Sequence, residues 1–138
     1  MLTGPEADMF KVLTGHDDEA VAKLHPGLEK FFRYSPMLMQ HQTIAEVIKS
    51  EHCTAQVKVG DMFVFDPFLN PQKSTGVMCP KALLPVLMQI NSIWEMAAEW
   101  AASGKKDLPE IAFRTQRCLD PGEDVGGIGG VVYRIRME

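Results

Sequence analysis

The stretch from Lys81 to Ala102 constrains the fold more than any other part of the chain. Leu83, Leu87, Ile90, Trp94, Ala97 and Ala101 recur at alternating steps of four and three residues, which sets them on one stripe of a helix. A second set, Leu84, Met88, Met96 and Trp100, is apolar as well. It leaves only the narrow strip Gln89, Ser92, Glu95, Glu99 and Ser103 for water. A helix this apolar needs cover on two sides, from a sheet and from either further helices or another subunit. Pro85 lacks an amide hydrogen, so it opens the main helix or kinks it after a short first turn. Gly104 is a natural stop, and Lys105-Lys106 complement the negative helix end.

Strand signals flank this helix. Thr43 to Lys49 is rich in β-branched residues, and Asp61 to Phe65 alternates, with Phe63 and Phe65 on one side and Met62 and Val64 on the other. Gly60 supplies the positive φ for a tight turn into that second strand. Towards the C-terminus, Val131, Tyr133, Ile135 and Met137 occupy one face and Val132, Arg134 and Arg136 the other, a half-exposed strand. A weaker candidate, Ile111 to Cys118, precedes it across the loop Leu119 to Gly130, whose glycine-rich end reads as a flexible hairpin.

Short helices precede the strands. Pro5 to Leu13 ends at Gly15, Asp17-Asp18-Glu19 put acid at the start of a second helix, and a third runs from Pro26 to about Tyr34. Each carries too few apolar residues to stand alone, so each must dock on something. Ser35-Pro36-Met37-Leu38-Met39 reads as a linker whose methionines suit an adaptable contact surface. The expected organisation is an N-terminal helical extension over 1–41 and an α+β core domain over 42–138, a three- or four-stranded antiparallel sheet packed on the long helix.

With 138 residues, 46% of them apolar and 23% charged, the chain fits one globular domain rather than a disordered segment or a rod. The net charge of −4 comes with no basic cluster, so nucleic acid is not expected as a partner. No window approaches the roughly 18 unbroken apolar residues of a spanning helix, and Met1 to Glu6 lacks the regions of a signal peptide; a cytoplasmic protein without membrane contact is expected. In that setting three cysteines argue against a disulfide framework and for a thiol or metal role.

All three cysteines fall at element ends. Cys53 follows His52 after the first strand, Cys79 precedes Pro80 at the start of the long helix, and Cys118 ends the third strand. No C-x-x-C knuckle links them, but chain folding can gather such ends on one rim. A site of Cys53, Cys79 and Cys118 with His52 or His41 would suit zinc or another thiophilic metal; buried free cysteines are the plain alternative. Cys79 at a helix N-terminus is also a candidate nucleophile, with its thiolate favoured there, although Pro80 removes one amide donor. His16 and His25 fall at helix boundaries and read as capping or exposed residues. Asp120, Glu123 and Asp124 lack a calcium-loop spacing and read as a solvated acidic turn, and Glu95 and Glu99 as an exposed helix face.

Several of these segments resemble a family of small bacterial and archaeal proteins of roughly ninety residues with three spaced cysteines. They are Val47-Ile48-Lys49 with His52-Cys53, Lys58 to Phe63, Gly76-Val77-Met78-Cys79-Pro80 with Ala82-Leu83, Cys118-Leu119-Asp120-Pro121, and Gly130 to Arg136. The resemblance implies a shared structural or ligand role for Cys53, Cys79 and Cys118. It departs at Lys81 and at the Ser103-Gly104-Lys105-Lys106 turn with Leu108-Pro109, where the family carries tryptophans, and in the first 40 residues and the Gly126 to Gly130 loop.

Three functions are therefore expected. The first is an accessory or binding module that self-associates or docks on a larger enzyme through the N-terminal helices, Met37-Leu38-Met39 and the second face of the long helix. The second is a metal or small-ligand site on Cys53, Cys79, Cys118 and His52. The third is an enzyme using the Cys79 thiolate.

Overall fold

The computed structural model describes residues 1–138. Three helices, α1 (Gly4–Thr14), α2 (Asp18–Ala22) and α3 (Pro26–Leu38), lead into strands β1 (Thr43–Glu51) and β2 (Met62–Phe65). The long helix α4 (Pro80–Ala102) follows, and strands β3 (Thr115–Arg117) and β4 (Gly130–Met137) close the chain. The strands form one antiparallel sheet in the order β2-β1-β4-β3, so the architecture is α+β.

Strand alternation sets the core. Ala45 and Val47 of β1, Phe63 and Phe65 of β2, and Val131, Tyr133 and Ile135 of β4 form one buried cluster with α4. Register places Val47 opposite Tyr133 and Ala45 between Phe63 and Ile135. Beyond Val47 the pairing slips so that Lys49 faces Val132 and Ser50 faces Val131, leaving Ile48 as a bulge residue. The bulge sends the charged Lys49 outward with Val132 and turns the small Ser50 to the inner face. On the outer face Arg136 donates to Glu46 at 2.6 Å.

The buried stripe of α4 differs from the one its leucines suggest. Ala82, Val86, Ile90, Ile93, Trp94, Ala97, Ala98 and Ala101 are buried, whereas Leu87 is exposed and Leu83 half-buried. Ala82 and Val86 also follow the helical period, and their small side chains suit a close approach of the first turns to the sheet, which turns the bulkier leucines outward.

Pro85 lies inside α4 and Pro36 inside α3, so neither ends its helix. The carbonyl that Pro36 leaves without an amide partner is that of Phe32, and the Ser35 hydroxyl donates to it at 2.8 Å. The expected linker is therefore the last turn of α3, with Leu38 only 2% exposed and seated in the main core. Full burial of such a side chain contributes roughly 1.5–3 kcal/mol, which fastens α3 to the domain. Phe31 packs on the same core, while its neighbour Phe32 meets Phe10 edge-on at 4.9 Å in a second cluster with Leu2, Ala7 and Val21. Lys30 pairs with Glu99 of α4 at 2.8 Å, so the expected bare acidic face is engaged there. The N-terminal helices are thus seated on α4 of their own chain through α3.

Helix ends follow local chemistry. The Asp17 side chain accepts the Ala20 amide and His25 Nδ1 accepts the Gly27 amide, capping α2 and α3, and Gly15 closes α1 with φ 72°. No helix is long and apolar enough to cross a membrane.

Candidate functional site

Antiparallel pairing brings the C-terminal ends of β1 and β3 to the start of β4, and this is where the cysteines lie. Glu51 pairs with Gly130 and Arg117 with Val132, so Cys53 and Cys118 emerge on either side of Val131. His52 takes φ 47°, in the left-handed region, and bends the chain after β1. The Cys53 carbonyl then accepts the Gln56 amide at 3.0 Å, and the Ser50 hydroxyl donates to the Val57 carbonyl at 2.5 Å, folding this segment over the core.

Cys118 extends the ladder by one rung with a substitution. Its amide donates to the Val131 carbonyl at 2.9 Å, but the Val131 amide donates to Cys118 Sγ at 3.3 Å. Cys79 arrives from α4, whose N-terminus it caps with its backbone. Its carbonyl accepts the Leu83 amide at 2.8 Å, and its thiol makes no capping hydrogen bond. What holds α4 here is a backbone bond from Leu119 to the Lys81 carbonyl, 3.0 Å long. That carbonyl is the one Pro85 leaves without an amide four residues on.

Cys53, Cys79 and Cys118, each half-buried, line one small cavity of about 40 Å³. Ala55, Val57, Ala82 and Val131 supply apolar wall, and Lys81 and Asp120 stand at its edge. A cavity needs roughly 10–15 Å³ of such space to hold one water, so this one has room for a water-sized ligand. As the side chains stand, no three His, Cys, Asp or Glu groups form a group that could hold a metal ion.

The histidines take little part. His52 belongs to the cavity wall, but its ring is largely exposed and its Nε2 lies 3.3 Å from Glu123. His41 sits just before β1, at the opposite end of that strand from Cys53. His16 stacks near Phe10 with ring centres 5.6 Å apart.

Asp120, expected in a solvated turn, organises the loop beside the cavity. Oδ1 accepts the amides of Gly122, Ile128 and Gly129 at 3.0, 3.1 and 3.3 Å. These bonds, the Gly122 amide foremost, hold its carboxyl below the ordinary value of 3.8. The expected flexible hairpin is therefore a pinned loop with one 3-10 turn over Glu123–Val125. A Cβ at Gly129 would collide with the Glu51 carbonyl, so the loop also lies directly on the end of β1.

Sequence reasoning missed Tyr133 as part of this region. It is fully buried and its hydroxyl has no hydrogen-bond partner. Burial first, then the charges of Cys79, Cys118 and Cys53, push its ionisation well above the ordinary value of 10.0. Its signal in the sequence was its place two residues after Val131, on the same strand face.

A larger open groove of about 610 Å³ between α3 and α4 has no thiol in its wall. No described protein family, curated protein or solved structure matches the chain.

Proposed function

We propose that this protein binds a soft, thiophilic metal ion through Cys53, Cys79 and Cys118. The observation that carries this reading is that three thiols from three separate elements line one cavity of about 40 Å³. Soft thiolate sites select ions such as Zn(II) and Cu(I). Each cysteine sulfur moves between staggered positions by rotation about one bond, and ion binding draws the sulfurs together in this way. Each coordinating thiol gives up its proton to solvent, and the ion keeps its oxidation state. The resemblance of the cysteine-bearing segments to a family of small three-cysteine proteins, which implies a shared role for Cys53, Cys79 and Cys118, supports the same reading.

The test is a titration of reduced, tag-free, full-length protein with Cd(II), followed by sulfur-to-cadmium absorption, beside a variant with all three cysteines changed to serine. One ion per chain in the wild type and none in the variant is the expected result. Absence of stoichiometric binding in the wild type overturns the proposal.

A second reading, self-association, is favoured by the exposed row Leu84, Leu87 and Met88 on α4, which lie one helical turn apart. Light scattering across a concentration series tests it: a dimer lost on Leu87→Glu supports it, and a monomer throughout counts against it. The nucleophile reading of Cys79 has less support, because no hydrogen bond joins its thiol to a base.

A further inference from the structure

We propose that two copies of this chain pair edge to edge through β3, antiparallel about Gln116, and so join their sheets into one. This rests on the self-association reading above and assigns it a surface.

The sheet has one closed edge and one open edge. On β2 the Met62 and Val64 amides donate to the Thr75 and Ser74 hydroxyls at 3.1 and 3.0 Å, and their carbonyls accept the Thr75 and Asn70 amides. The segment after β2 thus stands where a further strand would. β3, at the other end of the sheet, has no such cover. The Ile135 amide donates to the Arg114 carbonyl and the Cys118 amide to the Val131 carbonyl, which turns Arg114, Gln116 and Cys118 towards β4. By the alternation of an antiparallel ladder, Thr115 and Arg117 point their amides and carbonyls outward. The one bond made there is from Gln116 Nε2 to the Arg117 carbonyl, at 3.3 Å. Such an edge is a template for another strand.

Groups already engaged at either end choose the register. The Phe113 carbonyl accepts Gln89 Nε2 at 3.1 Å, and the Leu119 amide is held by the Lys81 carbonyl. A register centred on Thr115 needs Phe113. One centred on Arg117 needs Leu119, and it also sets two Arg117 side chains directly opposite, where like charges repel. Centred on Gln116, Thr115 of each copy meets Arg117 of the other, and every outward amide and carbonyl finds a partner. The edge of β3 therefore fits a second copy of itself.

Apolar surface gathers at the same place. Phe113 and Leu119, 81% and 57% exposed, lie just beyond the two ends of the paired segment, so Phe113 of one copy comes to Leu119 of the other. Met88, which ends the exposed row on α4, shares an open groove with Gln116 at the twofold axis. The row thus runs onto the strand edge.

The experiment is light scattering across a concentration series on the full chain, as wild type and as Thr115→Pro, with melting measured on both. Proline at this position removes an outward amide that the ladder with β4 does not use, so the monomer keeps its hydrogen bonds. A wild-type mass rising to twice 15.4 kDa, with Thr115→Pro folded and remaining at 15.4 kDa, supports the proposal. A dimer in both overturns the β3 edge while leaving self-association standing, and a wild type that stays monomeric overturns both. Should Thr115→Pro fail to fold, amide exchange in the wild type decides. The Thr115 and Arg117 amides are expected to exchange about tenfold more slowly in concentrated than in dilute protein, and equal exchange overturns the proposal.

Discussion

The Leu119 amide donates to the Lys81 carbonyl at 3.0 Å, an acceptor left open because Pro85 has no amide to close that turn of the helix. A residue that interrupts α4 internally thus ties α4 to the segment carrying Cys118, and so sets Cys79 beside it. Replacing Pro85 with alanine gives Lys81 an intrahelical partner that competes with Leu119. One hydrogen bond is worth about 0.5–1.5 kcal/mol. Amide exchange at Leu119 is therefore expected to speed up about threefold to tenfold in Pro85→Ala, with Cys118 alkylated faster. Unchanged protection at Leu119 removes this account of how the thiols are gathered.

Leu38 and Met39 are neighbours with opposite fates, one 2% and the other 58% exposed. Leu38→Ala is expected to cost about 2–5 kcal/mol, and Met39→Ala to stay within about 0.5 kcal/mol. Equal losses in chemical denaturation would mean that the last turn of α3 is the loose connection its sequence suggests.

At Gly129 a side chain has nowhere to go, because the Glu51 carbonyl occupies the position of its Cβ. Gly126 has open space around it but a φ of 86°. Gly129→Ala is expected to destabilise by about 1–3 kcal/mol through backbone displacement, and Gly126→Ala by about 1 kcal/mol through strain alone. The order of the two denaturation midpoints checks this, and a reversed order contradicts the packing of the loop on β1.

The lowered Asp120 carboxyl makes loop order depend on acidity. Because its folded value lies below the unfolded 3.8, its contribution is complete above 3.8 and is lost as pH falls through the lower folded value. Wild type is therefore expected to lose loop protection at Ile128 and Gly129 only below pH 3.8. Asp120→Asn should show weakened protection at neutral pH with that acid step absent. An acid step of the same size in both proteins would falsify the assignment.

The sheet and its long helix were legible because alternation in Val131 to Met137 and helical recurrence through Trp94 and Ala97 are local patterns with one reading each. The buried stripe of α4 was less so: Leu83 and Leu87 outweigh Ala82 and Val86 on hydrophobicity, and only the distance to the sheet decides between them. Pro36 read as a break because the repair, a hydroxyl from Ser35 to Phe32, depends on a rotamer. The cysteines were legible as ends of elements, and antiparallel pairing accounts for two of them meeting. The third is brought in by a backbone carbonyl, which no side-chain pattern records. Tyr133 read only as an inward strand residue, since whether a buried hydroxyl finds a partner depends on every element around it.

Phe31 and Phe32 are adjacent, yet one belongs to the main core and the other to the small cluster around Phe10. The seam between the two packing units therefore runs along α3 itself rather than through the loop that follows it. A cut ahead of His25 takes away Leu2, Ala7, Phe10 and Val21 and strips a satellite. A cut at residue 41, where the composition changes, also pulls Leu38 from the floor of the domain. The first strand is where the fold's pattern begins, but the packing of the main core begins one helix earlier, at Phe31 and Leu38.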